Sequence, residues 1–278
     1  MQRRPTRIEL AGAWQETLDA IWPRSCRLCG AGAEDGIACA AHRLPSAPPG
    51  PRCGRCAAAL ASFLPPGAAC PACRHRPPPW DCAMVLGDYR SQPILREWIL
   101  PLKHGGRRDL AEVLGRALAQ LLRERGAPAA AEQPLLVPVP LHPWRRLERG
   151  HDQARLLAAA LSAASGIPWQ PRLRRIRDTP PQGEPWAPPR AKNVRAAFAL
   201  AASPLKLPRE LLGRALPRLA AAGKPGRRAS LPRPLAGRTI LLVDDVITSG
   251  TTAAACSACL RRAGARRVEL LALARAGA

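Results

Sequence analysis

Eight side chains in the N-terminal third of the sequence form four pairs of one spacing: Cys26-x-x-Cys29, Cys39-x-x-His42, Cys53-x-x-Cys56 and Cys70-x-x-Cys73. A two-residue spacer lets one tight turn aim both side chains at a tetrahedral Zn2+, and two such turns fill the coordination sphere with no open position. The eight ligands therefore predict two closed, structural zinc sites that take no part in catalysis. The simplest assignment is sequential, with Cys26, Cys29, Cys39 and His42 on one ion and Cys53, Cys56, Cys70 and Cys73 on the other, as in a double zinc ribbon. A cross-braced pairing has the same spacings and stays open. The competing reading is a disulfide framework. Against it, the N-terminal MQRRPTRIELAGAW has no long apolar segment like that of a secretory signal, so the thiols are expected in a reducing, cytoplasmic setting, where repeated pairs hold metal. Cys256 and Cys259 share the spacing but sit in an apolar helical pattern, AAACSACL, with no second pair nearby. They read as core, and Cys82 as apolar filler or a reserve ligand.

A second constellation lies near the C-terminus, in Thr239-Ile-Leu-Leu-Val-Asp-Asp-Val-Ile-Thr-Ser-Gly-Thr-Thr252. Its apolar run predicts a buried strand over 239–243, with Asp244 and Asp245 at the carboxyl end and a turn, Thr248-Ser249-Gly250-Thr251-Thr252, opening a helix. Ligands of open α/β sheets bind at that edge. The turn amides and hydroxyls can surround a phosphate, and the helix N-terminus favours its charge. No lysine follows as in G-x-x-x-x-G-K-[ST], which argues against a nucleoside triphosphatase. The acid pair lies where a sugar attached to the phosphate would sit. Two carboxylates accept hydrogen bonds from vicinal hydroxyls and help hold Mg2+, directly or through water. The bland alternative is an acidic turn that merely caps the helix.

The elements that must position these groups divide the 278 residues into parts. Ala11, Trp14, Leu18 and Ile21 recur at helical spacing and predict an amphipathic helix within residues 1–22. Residues 23–76 are short of large aliphatics and rich in Gly, Pro and Cys, so they need metal staples rather than an ordinary core. After the Pro-rich joint Arg76-Pro77-Pro78-Pro79-Trp80, strands alternate with helices through 80–278, which predicts an α/β fold with a parallel sheet flanked by helices. Strands are expected at 83–89, 135–139, 239–243 and 267–273, and helices at 93–102, 110–123, 152–164 and 252–263. Between about 200 and 236 a Pro/Arg/Ala-rich stretch, with a short helix at 210–221, reads as an insertion.

Composition narrows the function classes. The chain has 43 Lys+Arg, 20 Asp+Glu and a net charge of +23, with 47% hydrophobic residues, which excludes wholesale disorder. No segment reaches the length of a membrane span. Only Lys103, Lys192, Lys206 and Lys224 are lysines, so the excess charge is an arginine bias on an Ala- and Pro-rich background. Such a total says little about nucleic acid until it is gathered on one face.

Strand, acid pair and T-S-G-T-T loop together resemble the signature for phosphoribosyl pyrophosphate (PRPP) in type I phosphoribosyltransferases. Val137-Pro-Val-Pro-Leu-His-Pro143, Arg149-Gly-His-Asp-Gln-Ala154, Thr179-Pro-Pro-Gln182, and Arg190 with Asn193 ahead of Ala197-Phe198 narrow the match. With Cys-pair ribbons in front, the order is similar to the ComF family of competence and DNA-utilisation proteins, including GntX-like members, over nearly all of the chain. The family usually reads R-G-F-N-Q where this chain has Arg149-Gly150-His151-Asp152-Gln153. The resemblance implies that Thr248, Ser249, Gly250, Thr251 and Thr252 bind the 5-phosphate and that Asp244 and Asp245 engage the ribose hydroxyls. It also implies that the Val137–Leu141 turn, with Val139 and Pro140, lies near the pyrophosphate, with Mg2+ bridging pyrophosphate and sugar. Lys103 and Arg149 are the candidate pyrophosphate contacts; His104 and His151 are weaker candidates for an acid or base. Two functions are expected of such a chain: a phosphoribosyltransferase in DNA uptake, natural competence or use of external DNA, or a non-catalytic PRPP-sensing adaptor that binds single-stranded DNA or a DNA-processing partner.

Overall fold

The computed structural model describes residues 24–176, 197–201 and 234–277. Four strands, β1 (Cys82–Asp88), β2 (Leu135–Pro138), β5 (Thr239–Ile247) and β6 (Arg267–Arg275), form one sheet in the order β1-β6-β5-β2, and every pairing is parallel. A short antiparallel pair, β3 (Leu173–Arg175) and β4 (Phe198–Leu200), stands apart. The helices are α1 (Pro71–His75), α2 (Pro93–His104), α3 (Leu110–Arg125), α4 (Pro143–Arg149), α5 (Gln153–Ser165) and α6 (Thr251–Arg262).

Both faces of the sheet are covered, which is why its central strands read as unbroken apolar runs. Leu241 and Val243 of β5, with Leu271 and Leu273 of β6, pack into one core beside α2, α3 and α5. Ile240, Leu242, Val268, Leu270 and Ala272 pack into the other with Cys256, Cys259 and Leu260 of α6. The alternation follows from the two-residue period of a strand. It also makes Cys256 and Cys259 buried core residues, as their apolar context predicts. On α3, a Cβ at Gly115 would stand 2.5 Å from the Cβ of Ala160, so the missing side chain lets α3 and α5 approach closely.

Most of the expected elements are present, with shifted ends. β5 runs on to Ile247 rather than stopping at Val243, because β6 also continues and pairs Asp244 with Ala272 and Val246 with Ala274. The acid pair therefore lies within the strand, held by the ladder. Helix α4 has no counterpart in the expected elements: Pro143 at its start and Gly150 in the left-handed conformation at its end frame a helix whose apolar residues, Trp144 and Leu147, are exposed. With no core-facing stripe there is no periodic signal to read. The expected helices within 1–22 and at 210–221, and the motif residues Thr179–Gln182, Arg190 and Asn193, lie outside the described residues.

Candidate functional site

The metal knuckles come together in the sequential arrangement. The ligand atoms of Cys26, Cys29, Cys39 and His42 all lie within 4.8 Å of one another, as do those of Cys53, Cys56, Cys70 and Cys73. Zinc–sulfur bonds of about 2.3 Å at tetrahedral angles place two sulfurs roughly 3.8 Å apart. The Cys29–Cys39 and Cys56–Cys70 sulfur pairs are each separated by 3.8 Å. In the first cluster His42 presents Nδ1 to Cys26 Sγ at 3.6 Å and to Cys39 Sγ at 3.1 Å. Its other nitrogen, Nε2, faces Glu97 Oε2 at 3.3 Å. A carboxylate behind a ligating imidazole is the usual way of fixing which nitrogen meets the metal. The Trp98 indole donates to the His42 carbonyl at 2.9 Å, so α2 anchors the first ribbon.

Each cluster also holds a buried thiol brought down toward deprotonation; in the first, Cys39 is lowered as well, chiefly by its contact with His42, while Cys29, Cys56 and Cys73 are raised. For Cys26, burial alone would raise the pKa, but N–H groups of Cys39, Cys29 and Leu28 outweigh it and bring the thiol down to about 6. For Cys53, burial is again the largest influence and is again overcome, here by N–H groups of Cys70, Cys56 and Arg55, to about 7. The Cys70 amide donates to Cys53 Sγ at 3.3 Å. Thiolates are what zinc binds, and each cluster can hold one zinc ion.

The second constellation occupies the carboxyl edge of the sheet. Asp245 is buried and carries the densest set of contacts. Its Oδ2 pairs with Lys103 Nζ at 3.2 Å and accepts from Gln153 Nε2 at 3.0 Å, while Oδ1 accepts from the Val246 amide at 2.6 Å. Asp244, half-buried, accepts from the Asp245 amide at 2.9 Å. Burial, with the Asp245 charge adding to it, pushes the Asp244 carboxyl up to about 8, against the pull of Lys103. Lys103 lies near the end of α2 and Gln153 begins α5, so three elements converge on one carboxylate. Arg149 ends α4 in the same neighbourhood. His104 is held below its usual pKa first by burial and then by the charges of Arg149 and Lys103.

The Val139 amide donates to the Val243 carbonyl at 2.8 Å. This sets the turn holding Val139 and Pro140, both buried, beside the strand end that carries the acids. Thr248 and Ser249 are exposed, and Gly250, Thr251 and Thr252 are partly so. Gly250 is the N-cap of α6 at φ 74, a left-handed conformation suited to glycine, and it offers no side chain to the helix's first amides. Ser249 Oγ and Thr251 Oγ1 lie 2.9 Å apart. The corner thus brings the loop's hydroxyl side chains and the start of α6 to the surface, with two acids beside them.

Two residues, Gln153 and Arg275, belong to this corner by contacts that spacing did not reveal. Gln153 was visible as part of a motif, and its task is to hold Asp245. Arg275, buried at the end of β6, donates through its guanidinium to the Thr248 carbonyl and, at 3.3 Å, to that of Ile247. That grip fixes the peptide planes at the start of the loop from behind. His151 is no exposed acid or base: it is buried, with Nδ1 2.8 Å from the Arg149 carbonyl and Nε2 2.5 Å from that of Leu102, tying α4 to the end of α2. Asp152 caps α5 by accepting from the Arg155 amide at 3.1 Å.

Fold and clusters define the class: an α/β protein with a four-stranded parallel sheet, preceded by two metal-binding clusters of zinc-ribbon type. No family model matches the chain. It is 31% identical over 227 residues to the DNA utilization protein YhgH of Escherichia coli (strain K12), spanning 81% of this chain and 83% of that protein. It is 30% identical over 227 residues to the protein of the same name from Salmonella typhimurium, with the same coverage. Competence protein F of Haemophilus influenzae is 29% identical over 228 residues, 81% of this chain and 85% of that one. The chain belongs to the ComF family of competence and DNA-utilisation proteins. A solved structure, that of TT1426 from Thermus thermophilus, aligns over 59% of this chain and 82% of its own at 19% identity, with a TM-score of 0.30.

Proposed function

We propose that the chain is a phosphoribosyltransferase-type protein that binds PRPP with Mg2+ and serves DNA uptake, natural competence or the use of external DNA. The observation that carries the chemistry is the corner itself. Asp244 and Asp245 lie in the carboxyl-terminal half of β5, and the first turn of α6 follows within six residues of Asp245. In this reading the loop Thr248–Thr252 takes the 5-phosphate, its amides and hydroxyls supplying donors and the helix N-terminus a favourable field. Asp244 and Asp245 accept from the ribose hydroxyls. Lys103 and Arg149 meet the pyrophosphate, beside the turn with Val139 and Pro140.

Carboxylate oxygens are the donors Mg2+ takes, usually one or two of them with substrate phosphates completing the sphere, so the acid pair fits the ion. When bound, Mg2+ neutralises pyrophosphate charge as the bond at C1 breaks. The chain's own part is positioning. Gln153 and Lys103 hold Asp245 in one orientation, and Arg275 holds the carbonyls of Ile247 and Thr248 where the loop begins. The relatives' names, DNA utilization protein and competence protein, support placing this chemistry in DNA processing.

Calorimetric titration with PRPP and MgCl2 tests the assignment. Asp244→Asn with Asp245→Asn is expected to weaken binding at least about 100-fold, by loss of the Asp245 charge and of the carboxylate that Asp244 becomes on ionisation, while the circular dichroism spectrum is unchanged. An unchanged affinity sinks it. A PRPP-consumption screen over bases and nucleosides then separates turnover from binding alone.

One feature favours a second reading, the non-catalytic adaptor. Trp144 is 70% and Leu147 74% exposed on α4, beside Arg146 and Arg149. An exposed indole among arginines suits a stacked base with neighbouring phosphates. Single-stranded DNA held there must be released steeply as salt rises, whereas PRPP affinity follows Mg2+ and the acid pair.

A further inference from the structure

The segment before β1 reads in the sequence as a joint, yet Trp80 within it is buried and fastened at both ends. Its Nε1 donates to the Arg55 carbonyl at 2.7 Å, and the Arg55 guanidinium returns to the Trp80 carbonyl at 3.5 Å. Arg55 is one of the two residues between the ligands Cys53 and Cys56. The far edge of the same indole lies against the phosphate loop: a Cβ on Gly250 would stand 2.9 Å from Trp80 Cη2. Its neighbours brace it further. Asp81 accepts from the Val268 amide at 2.9 Å and pairs with Arg261 of α6, and the Ala83 amide reaches the Gly54 carbonyl at 3.4 Å. Trp80, Ala57 of the ribbon and Ala253 of α6 share one apolar cluster.

We propose that Trp80 is a positioning residue of the phosphate loop, transmitting the geometry of the second metal knuckle to Gly250 and the first turn of α6. The knuckle fixes the Arg55 carbonyl, the carbonyl fixes the indole, and the indole is a wall that sets where Gly250 can sit. Glycine is required on the loop side twice over, by its positive φ and by this contact. The loop is then clamped from two directions, by Arg275 on its carbonyls and by Trp80 on its glycine. The inference rests on the PRPP reading for its functional meaning, but the mechanical link can be tested without it.

The experiment compares wild type, Trp80→Phe and Ile99→Val, the last a modest loss in the opposite core. Hydrogen exchange of the peptide covering 246–256, zinc content, and calorimetric titration with PRPP and MgCl2 are read on each. Trp80→Phe keeps a ring but loses the donor to Arg55. It is expected to retain two zinc ions, to speed exchange of the loop amides at least about threefold, and to raise the PRPP dissociation constant about three- to tenfold, the scale of one buried hydrogen bond. Ile99→Val should leave loop exchange and affinity alone. Stripping zinc from wild type with a chelator should speed the same amides, and should add less in Trp80→Phe. Loop exchange in Trp80→Phe equal to wild type, or matched by Ile99→Val, overturns the coupling. A wild-type protein that binds no PRPP removes the sugar-phosphate reading instead, while the exchange comparison still decides the link.

Discussion

The ribbons and the carboxyl edge of the sheet both crowd groups that become anions, and the ribbons divide that charge among their ligands where the corner suppresses it on one carboxyl. In the ribbons, main-chain N–H groups overcome burial at Cys26, brought to about 6, and at Cys53, brought to about 7, while burial pushes their neighbour Cys56 up to about 11 and raises Cys73 as well. At the corner, burial and the neighbouring charge push Asp244 to about 8. A structural metal site gains by being anionic before the cation arrives, since the ligands must be deprotonated to bind it. At the corner Lys103 pairs with Asp245, and Asp244 is kept short of full ionisation. In the PRPP reading, the difference separates a site made to be filled permanently from one that exchanges its ligand.

The largest expected effect breaks the ribbon side. Cys53→Ser should lower the zinc content from two ions to one per chain and cost several kcal/mol in stability, because binding energy at a structural zinc site is folding energy. The loss should fall on residues 51–76, whose buried cluster is built on Cys53, Cys70 and Cys73, while the sheet keeps its far-ultraviolet signal. Two zinc ions in this variant, counted by metal analysis, contradict the cluster.

This contrast also explains what the sequence discloses. The ribbon ligands lie within a few residues of their partners, and the strand, acids and loop of the corner are contiguous, so spacing alone exposes both. Lys103, Gln153, Arg275 and Trp80 meet the corner from α2, α5, β6 and the joint, across sequence separations that no local period encodes. Helix α4 escapes notice for another reason: its apolar residues face outward, leaving pattern reading nothing to lock onto. His151 misleads because a glycine beside it suggests exposure, whereas two main-chain carbonyls enclose it.

The next effect sharpens the corner's side of the comparison. Lys103→Met leaves the Asp245 carboxylate buried with Gln153 as its remaining side-chain donor, and is expected to cost about 3–5 kcal/mol, as when one partner of a buried pair is removed. Arg116→Met removes a pair of shorter length, 2.7 Å to Glu112, but on the exposed face of α3. It should change stability by less than about 0.5 kcal/mol. Chemical denaturation of both variants ranks them, and equal losses would mean that Asp245 is not shielded as its contacts indicate.

The smallest effect tests the raised carboxyl directly. A carboxyl near 8 in the folded chain and about 3.9 unfolded means that the folded state holds a proton the unfolded state has released. Stability from this group is therefore fully present below about pH 4 and is lost as pH rises toward and through 8. In the PRPP reading, ligand binding has the opposite sign, because ribose hydroxyls would donate and the ionised pair would accept. Between pH 7 and 9 the ionised fraction of a group at about 8 rises about tenfold, and PRPP affinity at saturating Mg2+ should rise by up to that factor. Asp244→Asn, which cannot titrate, should flatten the profile. A wild-type affinity that is level or falls across this range shows that the protonated form of Asp244 serves the ligand, and reverses the role given to that residue.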